Sequence, residues 1–229
     1  MFHVIRNYRR VDPEVVDDFA ALEVATVHEA YDKGGALAAA IKPLAPSMRL
    51  CGPALTARVH PGDNLILHKA LDIARPGDVL VVDADGWEGG PWGELMTVIA
   101  QARGLRGLVI DGFVRDVSAI QQLGFPVFAR GSSVKGTFKE DLGLLNHPVS
   151  CGGVVIAPGD LVLGDEDGVC AVPRETTAQV LAAARARDAD EARLRKRFAA
   201  GETLWDIAGL AAVGAARGLT EEHAAEGDR

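Results

Sequence analysis

Cysteine is scarce in this 229-residue chain. Only Cys51, Cys151 and Cys170 occur, odd in number, widely spaced and without a C-x-x-C pair. That pattern excludes a disulfide framework and a thiolate zinc site, and it fits a reducing, cytoplasmic setting. Positive charge is short as well: 24 basic residues against 32 acidic ones give a formal net charge of -8. The average surface therefore repels a phosphate-rich polymer, so no nucleic-acid partner is expected. Long apolar runs are missing. None approaches the length of a bilayer span, and Met1 to Arg10 carry charge without an apolar signal core, so no membrane partner and no export are expected. His28 and His68 fall in helical segments, His60 at a strand end and His147 before Pro148, and none has a second histidine at zinc-ligand spacing. No G-x-x-x-x-G-K-S/T loop, dinucleotide or S-adenosyl fingerprint occurs, and Ser132, Ser133 and Ser150 sit in no nucleophile elbow.

What the chain does contain is enough apolar material, 48% of residues, for one sizeable core. Residues 1–229 read as a single domain, with a helical part over 1–50 and C-terminal helices and tail over 174–229. Asp12 and Pro13 mark a helix start, and Thr26 with Glu29 suggests a capping box opening a second helix that ends at Gly34 and Gly35. From Gly52 the pattern alternates: strand-like 54–59, helical 64–74, strand-like 79–82, helical 92–103, strand-like 108–110, helical 117–123. Consecutive βα units with a largely parallel sheet are expected. Residues 131–149 lack periodicity and read as a functional or interface loop. Runs at 153–157, 161–164 and 169–172, separated by Pro158-Gly-Asp and Asp165-Glu-Asp-Gly turns, suggest antiparallel hairpins closing the sheet. A long Ala/Arg-rich helix over 175–199, a break at Gly201, a helix from Thr203 to about Val213 and a polar tail complete the reading.

In parallel sheets ligands collect beyond the carboxyl ends of the strands, so the loops 83–94 and 111–116 should open on one edge. They carry Glu94, Arg115 and Asp116, with Gly89, Gly90 and Gly93 allowing close approach of the backbone to a ligand. An arginine fork can hold a carboxylate while an adjacent aspartate holds a divalent metal, and together they can polarise a 2-oxo acid. The same residues also suit plainer roles: Asp116 as a helix N-cap, and Glu94 as a first-turn acid favoured by the helix dipole.

A larger pattern accompanies that pair. Gly62-Asp63-Asn64, the run from Arg75 to Val82, Trp92 to Leu95, Ala102 to Asp116, and Pro158 through Val169 occur in the order found in one family. From about Val4 to Leu210 the chain resembles the class II pyruvate aldolases acting on 4-hydroxy-4-methyl-2-oxoglutarate and 4-carboxy-4-hydroxy-2-oxoadipate, with their relatives the regulator of ribonuclease E activity A proteins. The resemblance implies an α/β fold, an αββα sandwich with a partly parallel central sheet, flanking helices and a long C-terminal helix, self-associated as a trimer or hexamer. It implies that Asp116 holds Mg2+ or Mn2+ largely through water, that Arg115 binds the 2-oxo acid carboxylate, and that backbone N–H groups from Gly93 through Glu94 and Leu95 to Met96 bind the same carboxylate. Lys139 matches a lysine at the distal end of the substrate, and Glu191 an acid reaching a neighbouring subunit's site. Glu94 stands where the best-known aldolases carry aspartate. The implied chemistry is metal-dependent cleavage of a 4-hydroxy-2-oxo diacid to pyruvate, with oxaloacetate decarboxylation beside it; the alternative is a non-catalytic ribonuclease-binding regulator. Without the resemblance, Lys139 reads as a solvated loop lysine and Glu191 as the i,i+4 partner of Arg195.

Overall fold

The computed structural model describes residues 3–222; Met1, Phe2 and residues 223–229 of the expected polar tail lie outside the described residues. The elements in chain order are β1 (His3–Val4), α1 (Pro13–Ala20), α2 (Val24–Ala30), β2 (Lys42–Pro43), β3 (Leu50–Arg58), α3 (Leu65–Ile73) and β4 (Val79–Asp83). Next come α4 (Glu94–Ala102), β5 (Gly107–Asp111), β6 (Phe113–Val114), α5 (Val117–Leu123), β7 (Val127–Ala129), β8 (Gly131–Ser132), β9 (Leu144–Leu145) and β10 (Val149–Cys151). The chain continues with β11 (Val154–Ile156), β12 (Leu161–Asp165), β13 (Gly168–Val172), α6 (Thr177–Ala199), α7 (Leu204–Ile207) and α8 (Leu210–Ala216). Two compact units divide it, Met1–Ala184 and Arg185–Arg229, the boundary falling within α6. No described helix is long and apolar enough to cross a membrane.

The expected βα alternation is present. β3, β4, β5 and β7 lie side by side in parallel, connected in sequence through α3, α4 and α5. Every residue of β4 and β5 is buried, which is why these strands read as unbroken apolar runs instead of alternating ones. β3 serves two layers: Leu50–Pro53 pair antiparallel with β12, and Ala54–Arg58 pair parallel with β4. A Cβ on Gly52 would lie 2.4 Å from the Gly77 carbonyl oxygen, so only glycine fits where the strand passes between its partners. The first core fills the space around the parallel strands; the second packs Val16, Phe19 and Val27 of α1 and α2, with Val180 and Leu181 of α6, onto Leu161 and Leu163 of β12.

Four local expectations are corrected. α2 begins at Val24, not at a Thr26 capping box, and Thr26 is buried within it. Its first N–H is taken by the buried Asp165 carboxylate at 2.9 Å, a cap supplied by the β12–β13 turn and worth about 1 kcal/mol. α2 also stops at Ala30, ahead of Gly34, where Asp32 and Lys33 turn the chain with φ of 52° and 58°. β11 pairs with β10 in a separate two-stranded ribbon, so only the β12–β13 hairpin joins the main sheet. The helix expected over Thr203–Val213 is two, α7 and α8, split at Gly209 with φ 63°.

Candidate active site

β4 and β5 end in register at Asp83 and Asp111, and a row of charges crosses the sheet there. Arg58 Nε stands 3.6 Å from Asp83, and Arg130, just past β7, is ion-paired with Asp111. Asp111 ties three segments together: its other oxygen accepts the Gly152 N–H at 2.7 Å, and its carbonyl accepts the Gly86 N–H at 3.0 Å. Arg130 in turn donates its backbone N–H to Gly112 at 2.8 Å, fixing the turn that leads to Arg115. Burial holds the Asp83 carboxyl above its ordinary value, with Asp85 and Asp111 adding to the rise while the Asp85 N–H and Arg58 oppose it.

The folded state holds the Asp83 proton more tightly than the unfolded chain does, so ionisation costs folding energy once pH rises past about 4. Asp83→Asn is therefore expected to raise the melting temperature at pH 7, with the gain disappearing as pH falls to about 4. Thermal melts of both proteins across that range check it; a variant less stable at pH 7 would contradict the assignment.

Beyond Gly112, β6 pairs with β8, and Arg115 donates its backbone N–H to the Trp92 carbonyl at 2.9 Å, joining the loop after β5 to the loop after β4. Trp92 is fully buried; its indole N–H donates to Thr97 Oγ1 at 2.8 Å, and the Thr97 hydroxyl donates to the Gly93 carbonyl at 3.0 Å. Asp116 occupies the left-handed region, φ 58° and ψ 37°, and does not cap its own helix α5. Its Oδ2 instead accepts the Glu94 N–H at 3.1 Å and lies 3.6 Å from Arg115 Nε. The capping interpretation of Asp116 is thus replaced by a link to the start of α4. A Cβ on Gly93 would stand 2.3 Å from Asp116 Oδ2 and 3.2 Å from Arg115 Nε, so this glycine is required by close approach rather than by its φ. The N–H groups of Leu95 and Met96 stand ahead of the intrahelical ladder, with Leu95 exposed and Met96 buried. Arg115 and Asp116 also line a pocket of about 470 Å3, together with Val117, Ser132, Ser133 and Val134.

Glu94, Arg115 and Asp116 are therefore brought together, with Gly93 between them. Lys139 belongs to a segment fastened to Asp63, whose carboxylate accepts the N–H groups of Leu65, Glu140 and Asp141 at 2.7, 2.6 and 3.0 Å. Those three bonds hold Asp63 below its ordinary value although burial works the other way. Burial first, and the Lys139 charge second, hold His68 below the usual histidine value, so His68 is neutral at pH 7. Glu191 lies in the second unit and pairs along α6 with Arg187 at 2.9 Å and Arg195 at 3.9 Å.

Sequence reasoning missed the supports: Trp92, the Asp111–Arg130 pair, and Asn64, which donates its side-chain amide to the Pro91 carbonyl at 2.9 Å. Asp83 and Asp111, each closing a buried apolar run, were the available signal.

Asp116 is the residue that could hold a divalent metal of the magnesium type. The Asp116 carboxylate meets the Glu94 N–H and Arg115 through Oδ2, and the side chain is 43% exposed. No group of three His, Cys, Asp or Glu that could hold a metal occurs among the described residues. A single carboxylate supplemented by water and substrate oxygens is the arrangement Mg2+ accepts.

Residues 24–171 match the RraA-like family model, described as Aldolase/RraA. A protein of Halalkalibacterium halodurans named "Putative 4-hydroxy-4-methyl-2-oxoglutarate aldolase" is 40% identical over 179 residues, covering 78% of this chain and 85% of its own. The 4-hydroxy-4-methyl-2-oxoglutarate aldolase of Thermus thermophilus is 31% identical over 144 residues, covering 62% of this chain and 87% of its own. Among solved structures, Streptomyces coelicolor RraAS2, described as an unusual member of the RNase ES inhibitor RraA protein family, superposes with a TM-score of 0.75 at 28% identity, covering 82% of this chain and 99% of its own. With the fold, the motif order and the matched span in agreement, this chain belongs to the RraA-like family.

Proposed function

We propose that the protein is an aldolase that cleaves a 4-hydroxy-2-oxo diacid, of the 4-hydroxy-4-methyl-2-oxoglutarate or 4-carboxy-4-hydroxy-2-oxoadipate type, to pyruvate and a second oxo acid with help from a divalent metal. The names carried by its relatives support the aldolase reading. The observation that carries it is the Arg115 guanidinium and the Asp116 carboxylate facing the start of α4 across Gly93. In this reading Arg115 and the N–H groups of Leu95 and Met96 grip the 2-oxo acid carboxylate. Loss of the C4 hydroxyl proton lets the C3–C4 bond break, the electron pair passes into a pyruvate enolate, and a proton is returned at C3. Arg115 offsets the charge that develops on the 2-oxo oxygen. Mg2+ or Mn2+ held at Asp116 would supply further positive charge at that oxygen. Glu94, and Glu191 supplied by a neighbouring subunit of a trimer or hexamer, carry protons to and from the reacting atoms, and Lys139 meets the distal carboxylate. Oxaloacetate decarboxylation reaches the same enolate and is expected as a side activity.

Pyruvate release from a panel of 4-hydroxy-2-oxo diacids and oxaloacetate should vanish with chelator and return with Mg2+ or Mn2+. A rate indifferent to chelator, or none on any member, sinks the proposal. The likeness to RraAS2 favours a second reading, a non-catalytic protein that binds a ribonuclease. Arg115→Ala separates the two: it abolishes turnover in the first and leaves a distant protein-binding surface intact in the second.

A further inference from the structure

A small pocket of about 50 Å3 lies apart from the Arg115 site, between the N-terminal segment, the α3–β4 turn and the residue after β9; Arg6, Asn7, Tyr8, Arg10, Arg75 and Asn146 contribute to its lining. The chain is acidic overall, yet three guanidiniums meet here. The fully buried Asp78 pairs with one of them: it accepts from Arg10 Nε at 2.7 Å and Arg10 Nη2 at 3.0 Å, and it also accepts the Arg75 backbone N–H at 3.0 Å. Asp72, which also feels Arg6, is already bonded to Lys69. Burial keeps the Tyr8 hydroxyl neutral, and it accepts from Arg10 Nη2 at 2.8 Å.

Two buried polar atoms on these residues have no partner: a donor, Arg10 Nη1, and an acceptor, Asn146 Oδ1. Asn146 is 2% exposed, and its amide nitrogen is already donating to the Ile5 carbonyl at 2.7 Å, so the oxygen cannot be exchanged for it. Buried polar atoms left unbonded are costly, and an occupant that meets both must accept from Arg10 and donate to Asn146. A carboxylate or a sulfate only accepts. Water does both but offers nothing to the charges of Arg6 and Arg75.

We propose that this pocket binds a tetrahedral oxyanion that retains a proton, with inorganic phosphate in its monohydrogen form as the fitting species. Arginine forks match phosphate oxygens, and the P–OH supplies the donor that Asn146 Oδ1 lacks.

Calorimetric titration of the full chain at pH 7.5 with inorganic phosphate, and separately with sulfate, tests it. Phosphate should saturate one site per chain, and sulfate should bind at least about tenfold more weakly. The exposed pair Arg6→Ala/Arg75→Ala should weaken phosphate by about tenfold while leaving the melting temperature in place. Arg115→Ala should leave phosphate binding unchanged. Absence of saturable phosphate binding, equal affinity for sulfate, or loss of binding on Arg115→Ala would overturn the proposal. Arg10 is left intact, because its removal would strand the Asp78 charge in the interior.

Discussion

Replacing Arg115 by alanine should lower the rate of pyruvate release roughly a hundred- to a thousandfold, about 2.7–4 kcal/mol of lost stabilisation of developing negative charge. The fold has little stake in this side chain: it is 47% exposed, it is ion-paired with the exposed Asp116, and the chain is held at this point by the backbone N–H bonded to Trp92. Melting temperature should therefore hardly move. Arg115→Lys restores the charge but not the flat two-pronged donor, so it should recover only part of the rate. Steady-state kinetics with a 4-hydroxy-2-oxo diacid at fixed Mg2+ decides the matter. An alanine variant turning over at the wild-type rate would remove Arg115 from the chemistry and with it the basis of the aldolase reading.

Gly93→Ala is the second large effect, and it arises from one added methyl group. The backbone there is extended and open to any residue, so the penalty comes only from what the methyl meets: Asp116 Oδ2 at 2.3 Å, with Arg115 Cγ and Nε at 3.1 and 3.2 Å. Both side chains must swing away, and the Glu94 N–H loses its acceptor. Displacements of about 1 Å at a reacting centre cost on the order of a hundredfold in rate. Gly93→Ala should thus lower turnover by about that factor and weaken the response to added Mg2+ or Mn2+, while circular dichroism remains that of the wild type. Full activity in this variant would show that Asp116 and Arg115 need not stand where they do.

The parallel strands could be located in the sequence because full burial writes itself as continuous valine, leucine and isoleucine, and the intervening helices because glycine and proline punctuate them. Leu65–Ile73 and Val117–Leu123 lie within a residue of the boundaries read from periodicity. The placement of Glu94, Arg115 and Asp116 on one edge was likewise legible, since successive βα loops share an edge of the sheet. What could not be read was every decision made across the chain. Asp116 looks like a local cap, yet its carboxylate is committed to an N–H belonging to another helix. Asp165 caps a helix that the local Thr26–Glu29 pattern claimed for itself, and β11 finds β10 instead of the main sheet. Arg130 bears no local mark of its pairing with Asp111. In each case a tertiary partner with better geometry displaced the near neighbour that the sequence proposes.

The double use of β3 has a bearing on how the chain comes to be folded. Its second half can join β4 as soon as α3 has formed, a contact between near neighbours. Its first half has no ladder until Leu161–Gly164 have left the ribosome, so during synthesis Leu50–Pro53 wait as an open edge while the middle of the chain, through β12, is made. Non-local pairing of this kind is slow to form, and closure of β12 onto β3 is the natural last step of folding. Truncations ending before Leu161 should accordingly collapse around the parallel strands, yet remain prone to aggregate through that edge.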